Sequence, residues 1–242
     1  LIQKLGGRRF FHEIESILRE ENPVPALRRM DEYGVLSLLS SDMRFDARME
    51  ELFDRIRNVI SWYRLSFLDE PLEGFWVYFL GLLTGLQEKD LESVSDRLVL
   101  SETRRERLIW TYRQVEPLLR GVFQLPEQRP SDIYRTLQPF RPEELLFMMA
   151  RTEREAVRRA ISHYFHRYRN VRTELKGRDL KAMAVPPGPI YRVILDELLD
   201  ARLNGEVRSR QDEWAYLKSL HPELFKDVPE ETPAASAASE AV

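Results

Sequence analysis

Apolar residues recur along most of the chain at the three- and four-residue spacing of a helix face, and no segment alternates apolar and polar positions as a half-buried strand does. Phe10, Phe11, Ile14, Ile17 and Leu18 mark a helix over 8–20. Asn22-Pro23 opens a second helix, with Leu27 and Met30 turned inward, and Gly34 stops it. Met49, Leu52, Phe53, Ile56, Val59, Ile60 and Tyr63 predict a long amphipathic helix over 45–68. The stretch Leu72–Leu86 is apolar nearly all round, interrupted by Glu73, and reads as a central buried helix with Phe75, Val77, Phe79, Leu80 and Leu83 in the core. It is too short to cross a bilayer comfortably. Further helices follow over 86–98 and from Ser101 to about Arg120.

Pro126, Pro130, Pro139 and Pro142 punctuate the middle of the chain. Ser131 is positioned to cap a short helix there, and Arg141-Pro142-Glu143-Glu144 opens another. Thr152-Glu153-Arg154-Glu155 has the form of a capping box for a helix running to near Arg169. A later helix stops at Asn204-Gly205, and Ser209 caps a last one through Trp214 and Leu217. From Asp227 onward Pro, Glu, Ala and Ser dominate without apolar period, which predicts disorder. The expected architecture is all-α: a multi-helix bundle over 1–125, a smaller helical tail unit over 126–226, and a disordered end over 227–242.

Composition supports a globular chain of 242 residues, 43% hydrophobic and 32% charged. There is no cysteine, so disulfides and thiolate chemistry within the chain are excluded. Leu1 stands where a Met would open a full-length product, and no signal-peptide apolar region follows, so the chain is expected to be a piece of a longer, cytoplasmic protein. The net charge is −3, but it is unevenly spread. Between Arg151 and Lys181 lie ten basic residues against four acidic ones; the remainder carries 27 basic against 36 acidic. A basic segment in an acidic chain is the pattern of a local anion site, or else of a solvated helix face.

No self-sufficient active site is visible. There is no paired-carboxylate metal motif and no glycine-rich phosphate loop. His163 and His166 lie one helical turn apart without a third ligand in view. Glu143-Glu144 and Asp196-Glu197 read as ordinary helix carboxylates. The expectation is therefore no catalytic residue and no metal site in this chain. Among the aromatics, Tyr164, Tyr168 and Tyr191 lie between arginines, where they could stack on a base or pack beneath the guanidinium stems.

The densest set of signals is Leu175-Lys176-Gly177-Arg178-Asp179-Leu180 through Pro186-Pro187-Gly188-Pro189-Ile190-Tyr191-Arg192: a short helix, a Pro/Gly turn and a second helix, flanked by cations. Asp179 can cap the first helix and Pro189 can open the second. This stretch resembles the tail motif of bacterial class II tRNA nucleotidyltransferases of the poly(A) polymerase family, Leu-x-Gly-x-Asp-Leu-x-x-x-Gly-x-x-Pro-Gly-Pro, with Ala184 in place of a glycine. The neck motif of that family, Glu-Arg-Ile-x-x-Glu-Leu, is echoed by Arg8 to Ile14, where Arg9 and Glu13 keep their spacing. Tyr33-Gly34-Val35-Leu36 and Leu203-Asn204-Gly205 match two further patterns. The head's metal carboxylates and Gly-Gly loop are not in this sequence.

The resemblance implies a tRNA-binding neck, body and tail that position the tRNA 3′ end for a catalytic head supplied elsewhere in the parent enzyme, which would add CCA or only the terminal A. Mg²⁺ and ATP or CTP would serve that head, and no cofactor is expected in this chain; the partners would be tRNA, through acceptor- and T-arm backbone, and the parent's own catalytic domain. Alone, the chain would be inactive. The expected RNA-contacting residues are Arg158, Arg159, Arg167, Arg169, Arg172, Lys176, Arg178, Lys181 and Arg192, with Arg9, Glu13, Gly177, Asp179, Gly188 and Pro189 as structural members of the motifs. A helical protein-interaction scaffold without RNA binding is the alternative.

Overall fold

The structure, a computed structural model, describes residues 2–66, 71–119, 129–182 and 185–222. The expected disorder of 227–242, the helix ends expected at 68 and 120, Pro126 and Ala184 lie outside these residues. Among the described residues there are twelve α-helices and no strand. They are α1 (Ile2–Leu18), α2 (Val24–Glu32), α3 (Ala47–Leu65), α4 (Gly74–Leu82), α5 (Glu88–Arg97), α6 (Glu102–Pro117), α7 (Pro130–Leu137), α8 (Pro142–Arg151), α9 (Glu155–His166), α10 (Gly177–Ala182), α11 (Ile190–Leu203) and α12 (Arg210–Leu220).

Side-chain caps set several starts. Asp46 accepts the Met49 N–H at 2.9 Å to begin α3, and Ser101 accepts the Arg104 N–H at 3.4 Å to begin α6. At α12, Ser209 Oγ accepts the Asp212 N–H at 3.2 Å while Asp212 accepts the Ser209 N–H at 2.9 Å, a reciprocal capping box. Two expected caps differ. Ser131 lies inside α7, whose opening N–H of Arg129 goes to Asp132 at 3.3 Å. Thr152 makes a two-residue hydroxyl turn with the Arg154 N–H at 3.2 Å, so α9 begins at Glu155 with Arg154 preceding it.

The contacts divide the chain into two compact units: Leu1–Gln128 with Arg135–His166, and Arg129–Tyr134 with Arg167–Val242. The Pro-rich boundary grouped 135–166 with the tail; here α8 and α9 pack in the first unit. The reason lies in α8, where every residue from Glu143 to Ala150 is buried and the helix lies against α3 and α4. In α4, Phe75, Trp76, Val77, Phe79 and Leu80 are at most 2% exposed, as the unbroken apolar run predicted. Helix α1 rests on α4, with the Phe11 and Phe79 rings edge to face at 5.7 Å. Gly7 in α1 passes so close to the end of α5 that an added Cβ would lie 1.9 Å from the Arg97 carbonyl oxygen, whereas at Gly6 nothing lies within 4 Å.

The second unit has a smaller core of Leu175, Leu180, Val185, Ile194, Leu198 and Leu217, flanked by Tyr191 and Trp214. Helix α11 ends in a Schellman motif: Gly205 at φ +77° donates to Arg202 O at 3.1 Å, and Glu206 donates to Ala201 O at 2.9 Å. Asn204 turns its side-chain oxygen to accept the Ser131 N–H at 3.1 Å.

Candidate nucleic-acid interface

The tail motif folds as the short helix, turn and helix its spacing predicts. Asp179, at the third position of α10, accepts the Lys176 N–H at 2.7 Å and closes the first turn. Its other oxygen accepts Arg210 Nη2 at 2.8 Å. Burial opposes ionisation of this carboxyl, but the Arg210 guanidinium and the Lys176 N–H outweigh it and hold its pKa below the usual Asp value. Pro189 directly precedes α11. An added Cβ on Gly177 would touch the Tyr191 ring at 3.5 Å, and at Gly188 it would meet nothing within 4 Å. The Tyr191 hydroxyl donates to Val185 O at 2.9 Å, so this ring is fixed into the unit rather than offered as a stacking platform.

Arg167, Arg172, Lys176, Arg178, Lys181 and Arg192 are all exposed, and Arg169 is half-buried. Arg192 stands 3.9 Å from Asp196 with its side chain 90% exposed. Arg167, Arg172, Lys176, Arg178 and Lys181 make no ion pair among the described residues. The two acids within 167–181 are each engaged by an arginine from a later helix or turn: Glu174 by Arg202 at 2.7 Å and Asp179 by Arg210. Arg167, Arg172, Lys176, Arg178 and Lys181 are therefore left facing solvent.

Two candidates lie in the first unit. Arg159 is exposed on α9 and unpaired among the described residues; Arg158 donates to Thr152 O at 2.7 Å across the start of the helix. Tyr164 is buried, which removes it from stacking, and His166 is exposed with its ring 5.5 Å from that of Trp62. Arg9 and Glu13 both project from α1 into solvent and do not pair with each other. Among the described residues no group of three His, Asp or Glu side chains could hold a metal ion, and no helix is long and apolar enough to cross a membrane.

The buried carboxylates were missed from sequence. Glu213 on α12 is fully buried. It accepts the Leu175 N–H at 2.8 Å, the Glu174 N–H at 3.1 Å and Arg202 Nη1. Arg202 also donates to Arg208 O at 3.2 Å, and its bond to Glu174, ahead of that to Glu213, raises its pKa. In the first unit Glu143 and Glu144 are no ordinary surface carboxylates. Arg107 donates to Glu144 at 2.7 Å and to Glu143 at 2.8 Å, while Glu143 accepts the Glu73 N–H at 2.9 Å and Glu144 the Arg141 N–H at 2.7 Å. The only signal for either set is an acid in the first turn of a helix, a position common enough to carry no partner information.

No protein-family model matches the sequence. Over 216 residues, 88% of this chain, it is 39% identical to an A-adding tRNA nucleotidyltransferase of Geobacter sulfurreducens, of which it covers 24%. An A-adding tRNA nucleotidyltransferase of Aquifex aeolicus is 24% identical over 75% of the chain, which covers 22% of that protein. A Thermotoga maritima CCA-adding enzyme, solved in complex with tRNA, shares the fold with a TM-score of 0.71 at 22% identity, over 88% of this chain and 52% of that one. The chain thus spans about a quarter of the length of these curated relatives and about half of the solved chain.

Proposed function

We propose that this chain, a homologue of the A-adding tRNA nucleotidyltransferases, is the tRNA-holding part of such an enzyme. The cations of its second unit grip the phosphate backbone of the acceptor and T arms and so place the tRNA 3′ end for a catalytic head elsewhere in the parent protein. The head would take Mg²⁺ and ATP or CTP. The observation that carries this reading is the set of Arg167, Arg172, Lys176, Arg178 and Lys181, exposed and unpaired among the described residues, while both neighbouring acids are engaged by Arg202 and Arg210. Backbone-directed cations release counterions when they bind, so affinity falls steeply with salt. The tRNA complex of the Thermotoga maritima enzyme, built on the same fold, supports RNA as the polyanion.

The test is binding of a tRNA transcript across a salt series, for wild type and for K176A/R178A/K181A. Each lost phosphate contact lowers the slope of log K against log salt by about one unit, so the triple variant should lose up to about three. Its thermal stability should stay within about 0.5 kcal/mol of wild type, because all three side chains are exposed. Equal affinity and equal slope would remove these three residues from the interface.

A further inference from the structure

Resting on the RNA-binding reading above, we propose that two adjoining grooves on either side of Arg172 form a track for the ribose-phosphate backbone of RNA, with Arg208, Arg172 and Lys176 as its phosphate contacts. The first groove, of about 490 Å³, is lined by Asn170, Val171, Arg172, Arg202, Val207 and Arg208, with Gly205 at its edge. The second, of about 290 Å³, is lined by Arg172, Thr173, Leu175, Lys176, Gly177 and Leu195. Arg172 belongs to both.

Three observations separate these grooves from ordinary surface relief. Neither has a carboxylate in its lining, whereas two grooves of the first unit carry Glu88 and Glu116, or Glu116 and Glu153, beside their arginines. A polyanion entering the second unit's grooves therefore meets cations in their lining, and the nearby Glu174 carboxylate is held by Arg202. One of the cations is also held in place. Arg172 Nη1 donates to Arg169 O at 2.6 Å and Val171 O at 2.8 Å, so its guanidinium is fixed over its own backbone without a carboxylate partner among the described residues. The Arg208 backbone is pinned on both sides: its N–H donates to Asp212 at 2.9 Å and its carbonyl accepts from Arg202. Finally, the walls converge on one buried anchor. Glu213 holds the N–H groups of Glu174 and Leu175 on the Lys176 side, and through Arg202 it holds Arg208 on the other. Arg172, already in place, loses less side-chain freedom on binding than a flexible cation does. Val171 and Leu195 offer apolar wall against which sugar carbons can rest.

Arg208 lies outside the basic 151–181 segment, so the track predicts a contact that charge clustering alone does not. The experiment is tRNA-transcript binding to the full 242-residue chain over a salt series, comparing wild type, R172A/R208A, R208K and the K176A/R178A/K181A variant, with thermal unfolding confirming that each is folded. The track predicts that R172A/R208A lowers the salt slope by about two units and weakens binding on the order of 100-fold near 0.1 M salt. R208K, which keeps the charge, should retain the wild-type slope. If wild type binds with a steep slope and R172A/R208A matches it, the track is overturned while the RNA-binding reading stands. If wild type itself shows no salt-dependent binding, both fall. If R172A/R208A no longer folds, the single R208A variant decides: an unchanged slope overturns the track, and a loss of about one unit supports it.

Discussion

Both units bury carboxylates under a single arginine, yet the two arrangements do different work. In the first unit Arg107 reaches a pair of adjacent glutamates at the start of α8, in the middle of an aromatic core that includes Trp76, Phe79 and Phe147. Both glutamates also take backbone N–H groups, from Glu73 and Arg141, so the cluster joins the entries of α4 and α8. In the second unit the core is six aliphatic side chains, and the buried group is one acid, Glu213, which holds a loop rather than a helix pair. The first cluster is a fold element. The second is fold element and scaffold together, because the backbone it pins carries the exposed cations of 172–176. The same chemistry serves packing where the surrounding core is large, and orders a cation-bearing loop where the core is small.

The strongest way to break this comparison is Arg107→Ala. It leaves Glu143 and Glu144 buried without their counter-charge, and breaking a buried pair in this way costs about 3–5 kcal/mol. Chemical denaturation of the variant should show that loss with no change in the tRNA salt slope at temperatures where the chain is folded. A loss under about 1 kcal/mol would mean the glutamates are hydrated and the cluster is not a fold element.

Glu213→Gln should cost less, about 2 kcal/mol, since the amide can still accept one of the N–H groups while the charge that draws in Arg202 is gone. Here the location of the effect matters more than its size. Hydrogen exchange at the Glu174 and Leu175 amides should accelerate, amides of α4 should not change, and the tRNA salt slope should fall. Accelerated exchange spread equally over both units would show that Glu213 acts on stability alone.

The smallest effect should come from Asp179→Asn. The native carboxyl is held below its ordinary pKa, so it contributes stability at pH values above about 4 and that contribution is lost as pH falls through the depressed native value. Because Arg210 is about half exposed, the pair should be worth no more than about 1 kcal/mol at neutral pH. Wild type should therefore lose stability below about pH 4 more steeply than the asparagine variant in a pH series of unfolding curves. Parallel curves would show that neither Arg210 nor the Lys176 N–H favours the charged carboxyl in the folded chain.

How far the sequence carried the structure follows the range of the interaction. The α4 core was legible because its apolar positions are consecutive, and the α6 and α12 starts because Ser101 and Ser209 cap groups three residues away. The tail motif was legible for the same reason: Asp179 and Lys176 are neighbours on one turn. What escaped was decided at a distance. Glu143 and Glu144 meet an arginine 36 or more residues earlier, and Glu213 meets N–H groups 38 and 39 residues earlier. The assignment of α8 and α9 to the first unit escaped too, since proline spacing marks breaks in helices and not which helices pack together. Arg208 was passed over because it lies apart from the charge cluster in sequence and joins it only through the folded walls of one groove.

The near contact of Gly7 with the Arg97 carbonyl has a consequence for how freely this sequence can drift. Two glycines stand side by side in α1 and look interchangeable, but they are under opposite constraints. At position 6 a side chain would stand in open space, and replacing glycine there removes a helix-weakening residue. At position 7 even a single methyl group would overlap a carbonyl oxygen on another helix, so the alphabet there is reduced to one letter unless α1 and the end of α5 move apart. Mutational histories through this pair should therefore be lopsided: neutral change accumulates at one position and stops at its neighbour.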